Sequence, residues 1–514
     1  MQTTRNTSTR LKPLRLPLLA SALPSLPLPF SFPNAGGELT RWLSGIYRWR
    51  RWSPQLFLLA LGLRLAGIAV DPFWYDENFT ISIIHLPLPQ MIAGAVGDVH
   101  PPLYYLIVWG LGHLFGYSEL VMRLPSAIFV SWACVELYKV MQTIGEREAR
   151  TGSLIMAVLP GLLNYGQEAR NYGLLIMLLL FTFRMVQDGK WRLASLGAAL
   201  SLYTHAMSIF YLIVIGVLAL VKNPRRAVKM GMFAAMAFSP WLPAYARQVG
   251  HIDGGYWIVS PTLGAIPWTL WYDTLYNRWN PALAIHAEMF AVVMTALGLL
   301  LALRSWRQTM PLIALAVAPP ALIMVVSSLW QSVMREPAML TSAAAVAGLW
   351  GIGLVRLTGR DRLAAAAIAV PTMLASIIGY YSSNPTFDWR EMTNVIESDW
   401  QEGDVIYHMN VASYIQVDQS MRGRSYLLPG SNDLSQNMTD ATKDALGIQR
   451  VSIETLQAQG FKRAWFIYIQ QPLTNEREAS FGAEMTARFP VLARYDIYKT
   501  DLSDFRIYLL DLRQ

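Results

Sequence analysis

The chain has 514 residues, 54% hydrophobic and only 15% charged, with 18 Trp and 23 Met. Soluble domains carry about a quarter charged residues, so this balance excludes an ordinary soluble enzyme and points to a polytopic membrane protein. The net charge of +8 is uneven: from Ser383 onward 18 acidic residues face 13 basic ones, a net of −5 that leaves +13 for residues 1–382.

Residues 1–53 are Pro-rich and basic and end in Arg48-Trp-Arg50-Arg51-Trp52. Prolines at 17, 24, 27, 29 and 33 argue against a spanning helix there, so the reading is a cytoplasmic tail whose arginines anchor the first span from inside. That span is 54–70, with Arg64 inside it. Apolar segments at 121–143, 148–166, 171–188, 190–205, 206–222, 227–246, 285–304, 310–330, 337–357 and 362–381 complete eleven expected spans. Basic linkers at 222–226, 304–307 and 356–362 are placed in the cytoplasm, and the turn at 203–205 and the 247–284 loop on the other side. Counting 101–116 as a span breaks this charge alternation, so it is expected as a helix on the outer surface, inside a first external loop of residues 71–120. An odd span count sends the acidic C-terminus outside. Short basic clusters between apolar runs are not a nucleic-acid surface. The single cysteine, Cys134, excludes an intrachain disulfide and a cysteine-built metal cluster.

From 383 the character changes. Helical spacing at 388–401 and near 475–489, and strand patterns at 404–409, 463–469 and 505–510, predict a small α/β domain over 383–514. No Gly-rich phosphate loop follows any of these strands.

Four clusters fall on the expected outer face. Asp76-Glu77 follows the first span; Asp98 and His100 precede the surface helix; Gln167-Glu168-Ala-Arg170 joins the third and fourth spans; Arg335-Glu336 opens the tenth. Carboxylates beside a bilayer are costly to keep without a partner or a function. A carboxylate there can take a proton from an acceptor hydroxyl as general base. Arginines fork onto phosphate oxygens and stabilise a phosphate leaving group. Together they suit transfer chemistry on an anionic lipid carrier. His205, at a turn, joins this set, although a turn histidine is as readily structural. Arg64 needs a partner, and a helix-packing salt bridge explains it as well as a substrate contact.

These residues carry a resemblance. The arginine-bearing span, Trp-Tyr-Asp76-Glu77, Asp98-Val-His100-Pro-Pro-Leu-Tyr-Tyr105, Glu119-Leu-Val-Met-Arg123-Leu-Pro-Ser, Gln167-Glu168-Ala-Arg170-Asn-Tyr172, Thr204-His205 and Asp388-Trp-Arg390 are similar to motifs of the GT-C glycosyltransferases, in particular the protein O-mannosyltransferase and lipid A aminoarabinose transferase group. The resemblance, over about 54–410, implies a GT-C membrane fold with external juxtamembrane helices. It also implies inverting transfer of a sugar from a polyprenyl-phosphate donor to a hydroxyl acceptor on a lipid, glycan or protein. Asp76 takes the place of the catalytic acid, Glu77 and Glu168 orient donor or acceptor, and Arg170 and Arg335 hold phosphate. Asp98, His100, Gln167 and His205 complete the substrate contacts. No metal ligands are assigned; paired acids are also compatible with a divalent cation, which some distant relatives use. The implied location is a bacterial inner membrane with the C-terminal domain outside. The rival is a lipid-linked saccharide transporter or polymerase partner that breaks no bond. Transporters show paired half-repeats with broken helices, and none is evident here.

Overall fold

A computed structural model of the chain describes residues 52–253, 258, 261–262, 264–275, 281–382, 389–430, 438, 440–470, 476–499 and 504–513. The expected tail of residues 1–53 lies outside them apart from Trp52 and Ser53, which open the first helix.

The helical part runs through α1 (Trp52–Leu65), α2 (Tyr75–Ile84), α3 (Leu88–Gly97), α4 (Leu103–Phe115), α5 (Glu119–Met141), α6 (Glu146–Val158), α7 (Pro160–Asn164), α8 (Tyr172–Gln187) and α9 (Trp191–Leu202). It continues through α10 (Ser208–Lys222), α11 (Pro224–Phe238), α12 (Leu242–Asp253), α13 (Ala265–Leu275), α14 (Pro281–Leu303), α15 (Trp306–Leu329), α16 (Leu340–Arg356) and α17 (Gly359–Ser382). Among the described residues, five stretches are long and apolar enough to cross a membrane: Glu119–Met141, His286–Leu303, Trp306–Leu329, Glu336–Arg356 and Gly359–Ser382. The chain is an integral membrane protein. The other six expected spans form shorter helices. Two are broken at prolines: 148–166 splits into α6 and α7 at Pro160, and 227–246 is interrupted by a 3-10 turn over Ser239–Trp241 that contains Pro240. Proline has no N–H to give the helical ladder, so each helix restarts there. Segment 101–116 becomes α4, whose 13 residues reach about 20 Å.

Two devices hold the long helices together. Gly152 of α6 faces Gly351 of α16 so closely that a Cβ on Gly351 would lie 2.4 Å from the Gly152 nitrogen; small residues let backbones approach where apolar burial gives no drive between helices. Charge does the rest: Arg184 of α8 forms a buried ion pair with Glu136 of α5, a fixed pairing in an apolar setting. Arg64 forms no salt bridge among the described residues. Its guanidinium is fully buried and donates to the carbonyls of Ala60, Ala157 and Leu162 at 2.9, 3.2 and 3.4 Å, tying α1 to α6 and α7.

The C-terminal part is α/β. After α18 (Trp389–Ser398) come β1 (Asp404–His408), α19 (Val411–Asp418), β2 (Ser425–Leu427), α20 (Asp440–Ala445), α21 (Ile453–Ala458), β3 (Arg463–Gln470), α22 (Glu476–Arg488), β4 (Val491–Lys499) and β5 (Asp504–Asp511). The sheet order is β2-β1-β3-β5-β4, with β1 parallel to β2 and β3, and β5 antiparallel to β3 and β4. β1 is buried throughout: Val405 and Tyr407 enter one core cluster and Ile406 the other, the two-residue period of a strand covered on both faces. The expected strands and both helices are present; β2, β4 and the helices between β1 and β3 have no counterpart in the sequence pattern.

The small helices α2, α3 and α4 share one core with the C-terminal part. Phe79, Ile83, Met91, Tyr105 and Val108 cluster with Val411, Tyr414, Ile415 and Leu427. Polar contacts fix the seam: Asn78 donates to Gln416, and Gln419 Nε2 donates to Ser82 Oγ at 2.8 Å. The 71–120 stretch is therefore a packed layer held between the long helices and the α/β part.

Candidate functional site

Asp76 and Glu77 stand in the first turn of α2, adjacent and therefore about 100° apart around the helix. They meet different surroundings. The Glu77 carboxylate is wholly buried. Its Oε1 accepts from Arg123 Nε and Ala169 N, both at 2.7 Å, and its Oε2 accepts from Arg123 Nη2 at 2.6 Å and Trp74 N at 3.2 Å. Arg123 donates further to the carbonyls of Ile68, Asp71 and Pro72 at 2.8–3.0 Å. Of the two acids, Glu77 is the one whose carboxylate is taken up by the protein's own donors. Four N–H groups occupy its carboxylate, and with Arg123 it joins the 68–72 segment, α2, α5 and the 165–171 turn.

Asp76 stays about 30% exposed. Arg170 Nη2 is 3.8 Å from its Oδ2, while Nη1 donates to the Asp76 carbonyl at 3.3 Å and to Thr80 Oγ1 at 3.1 Å, one helical turn on. Burial raises the Asp76 carboxyl above its usual range; Arg170 opposes this and Asp98 adds to it. For Arg170, burial works to lower the guanidinium, but Asp76, Tyr172, Tyr105 and Asp98 outweigh it and hold the group well above its ordinary value.

Asp98 caps the C-terminus of α3 and is buried, accepting from Tyr105 OH at 2.7 Å. Burial raises its carboxyl too, with Arg170 pulling it down. His100 Nε2 lies 2.8 Å from Arg170 Nη2. A guanidinium can only donate, so Nε2 accepts and Nδ1 carries the hydrogen. Burial and Arg170 push the imidazole well below its usual value, so it stays neutral. His205 lies tilted beside it with ring centroids 4.8 Å apart and accepts from Met207 N at 3.1 Å; Tyr172 lies 5.7 Å beyond. Burial, His100 and Arg170 lower His205 likewise. The backbone secures this wall, since Leu103 N donates to Tyr203 O and Asn171 Nδ2 to Thr204 O.

The fold therefore brings Asp76, Asp98, His100, Arg170 and His205 together and leaves four expected residues aside. Gln167 donates to the carbonyls of Arg64 and Ala66 at 2.8 and 2.6 Å and accepts from Tyr380 OH at 2.6 Å, a bolt between α1 and α17. Glu168 is buried and accepts from Asn164 Nδ2 at 2.6 Å. Glu77 is sealed beneath. Arg335 is about half exposed with Nε 3.5 Å from Glu336 Oε2. It still lowers the Asp76 carboxyl, which puts it within electrostatic reach. Tyr105, Tyr172 and Thr80 also belong to the site. Sequence reasoning gives them no role, although both tyrosines stand inside the motifs that carry the resemblance.

Two buried donors in this cluster, His100 Nδ1 and Arg170 Nε, meet no hydrogen-bond partner among the described residues. Such groups are rare in native proteins and call for an explanation. Among the described residues no group of three or more His, Cys, Asp or Glu is placed to hold a metal ion.

Residues 99–243 match the family model of dolichyl-phosphate-mannose-protein mannosyltransferases, a stretch that contains His100, Arg170 and His205 and stops short of Asp76. No curated protein sequence matches the chain. Among solved structures it is similar to ArnT from Cupriavidus metallidurans in the apo state, with 12% identity and a TM-score of 0.60, covering 90% of this chain and 98% of that one. It is also similar to the same protein bound to undecaprenyl phosphate, with 13% identity, a TM-score of 0.56 and the same coverage. The Archaeoglobus fulgidus oligosaccharyltransferase matches at 10% identity and a TM-score of 0.48, over 82% of this chain and 70% of that one. The chain has the fold of the GT-C membrane glycosyltransferases.

Proposed function

We propose that this chain is a GT-C membrane glycosyltransferase that moves a sugar from a polyprenyl-phosphate donor to a hydroxyl acceptor, with inversion. The carrying observation is the pairing of a partly exposed carboxylate, Asp76, with a buried arginine and histidine that keep N–H groups unspent. The donor class is supported by the ArnT structure of the same fold with undecaprenyl phosphate bound.

In this reading Asp76 takes the proton of the acceptor hydroxyl. The oxygen forms its bond to the anomeric carbon from the face opposite the phosphate. The bond from that carbon to the phosphate oxygen breaks, and its electron pair leaves with the phosphate. Arg170 and the Nδ1–H of His100 receive the growing charge. A raised carboxyl makes Asp76 a stronger base, and Arg170 favours its ionised form. His100 serves only as a neutral donor, which its burial secures. Asp98 and His205 position these two groups, Glu168 and Gln167 hold the turn that presents Arg170, and Arg335 meets the donor phosphate at the rim. Residues 54–382 form the catalytic membrane part and 383–514 an α/β part outside the cytoplasm, in a bacterial inner membrane.

The test is Asp76→Asn in purified protein given a polyprenyl-phosphate sugar. Turnover should fall by ~10²–10⁴-fold while donor binding persists. Turnover within threefold of wild type would remove Asp76 from the mechanism. A chain that binds the donor but releases no polyprenyl phosphate under any acceptor would favour the non-catalytic carrier reading.

A further inference from the structure

The helices that carry the site have their other ends at a second feature. α6 leads through α7 to Glu168 and Arg170; α16 follows Arg335-Glu336; α17 ends at Tyr380, which bonds Gln167. At the far ends of these three helices lies a cavity of about 380 Å³. α17 has 24 residues and spans about 36 Å, so site and cavity stand about a bilayer apart.

The exposed residues Arg147, Arg150 and Arg362 border this open pocket together with Thr151, Leu354, Val355 and Ala366, and its lining is chiefly apolar, so the arginines meet it mainly through their stems. Arg150 is occupied, its Nε 2.8 Å from Glu146. Arg147 and Arg362 form no ion pair among the described residues. Both stand in the first turn of a helix, α6 and α17, where the backbone dipole adds positive potential; of the acids in those turns, Glu146 pairs with Arg150 and Glu148 with Arg356, and Asp361 precedes Arg362. Below Arg362 the outer surface of α17 stays apolar and exposed at Leu363, Ile368, Val370 and Leu374. Two unspent arginines over an exposed apolar helix complement an anionic amphiphile, with phosphate at the arginines and chains along the helix.

We propose that this cavity binds the phosphate headgroup of an anionic glycerophospholipid from the leaflet opposite the site. Basic pockets between spanning helices suit such headgroups, and guanidinium forks suit phosphate oxygens. The proposal is independent of the chemistry at Asp76, because none of its residues touches that cluster.

The experiment uses the full chain in neutral detergent, titrated separately with phosphatidylglycerol, phosphatidylcholine and inorganic phosphate. Bound lipid is counted by native mass spectrometry and the melting temperature is followed in parallel. Phosphatidylglycerol should bind and raise the melting temperature, and the other two should do neither at equal concentration. Arg147→Gln with Arg362→Gln should weaken phosphatidylglycerol binding roughly tenfold or more, and each single change should weaken it in part. The singles keep the test decisive if the double variant folds poorly, which the lipid-free melting temperature reports. Arg225→Gln with Arg226→Gln, in a separate basic cluster, should leave binding unchanged. Wild-type binding by both single variants and the double would overturn the proposal. An equal loss in the 225/226 control would reduce the effect to general surface charge and also overturn it. An equal response to inorganic phosphate would make this a free-phosphate site, with no lipid role.

Discussion

Glu77→Gln separates the two adjacent acids most sharply. Each Glu77 oxygen accepts from two N–H groups, one pair being Arg123 Nε and Ala169 N, the other Arg123 Nη2 and Trp74 N. Glutamine has the same shape, but whichever oxygen becomes the amide nitrogen then faces two donors. At least two hydrogen bonds are lost, and Arg123 keeps its three carbonyls without an opposing charge. Breaking one side of a buried ion pair costs ~3–5 kcal/mol. Over a chain of this size that is a fall in melting temperature on the order of 5 °C. Adding Arg123→Gln removes the stranded cation, so the double variant should lose less than the two single losses combined. The assay is thermal unfolding in detergent, read beside turnover per folded molecule. Turnover per folded Glu77→Gln molecule should stay far above that of Asp76→Asn. A Glu77→Gln protein that melts like wild type yet loses turnover as Asp76→Asn does would refute the reasoning and return Glu77 to the substrate.

Three further outcomes follow from the same geometry. The proposed base must be ionised, so kcat/KM should fall as pH drops through the Asp76 pKa, above the usual carboxylate range. Arg170→Gln removes a lowering influence and should move that acid limb to higher pH, while Asp98→Asn removes a raising one and should move it lower; pH–rate profiles showing no shift, or the opposite one, would break the assigned coupling. Arg335→Ala should act mainly on KM for the donor, because that side chain is half exposed and already beside Glu336, whereas Arg170→Ala should lower kcat by a barrier of ~2–4 kcal/mol; steady-state kinetics with equal effects on kcat would place Arg335 in the same clamp. In topology, reporter fusions at Gly116 and Gln514 should read outside and those at Lys222 and Arg360 cytoplasmic, and a cytoplasmic Gly116 would make α4 a span and undo the count of eleven.

The sequence makes the site legible where chemistry and motif coincide. Asp76, Asp98, His100, Arg170 and His205 come from four separate stretches, and each stands out because a charged or titratable group at an apolar boundary needs a reason. What the sequence does not distinguish is Asp76 from Glu77. The two are neighbours of one charge type, and which becomes free is decided by the direction in which the first turn of α2 faces. One hint is present: Arg123, near the start of the apolar 121–143 run, calls for a carboxylate, and Glu77 satisfies it. The contacts of Gln167 with α17 and the end of α1 are equally hidden, since an amide's partners are tertiary and leave no local pattern.

The seam between α2 and the C-terminal part is illegible for a different physical reason. Asn78, Ser82, Gln416 and Gln419 are ordinary polar residues that meet only after the α/β part has packed on α2. Their position has a consequence for the site. α2 is held at Glu77 by the long helices and at Asn78 and Ser82 by α19, so Asp76 projects from a helix fixed on two sides. Catalytic geometry is lost with displacements of about 1 Å, and a lone helix in the 71–120 stretch between spans would not hold that tolerance. The packing instead ties α2 to the long helices and to the α/β part at once, which explains how a partly exposed carboxylate keeps a defined distance to Arg170.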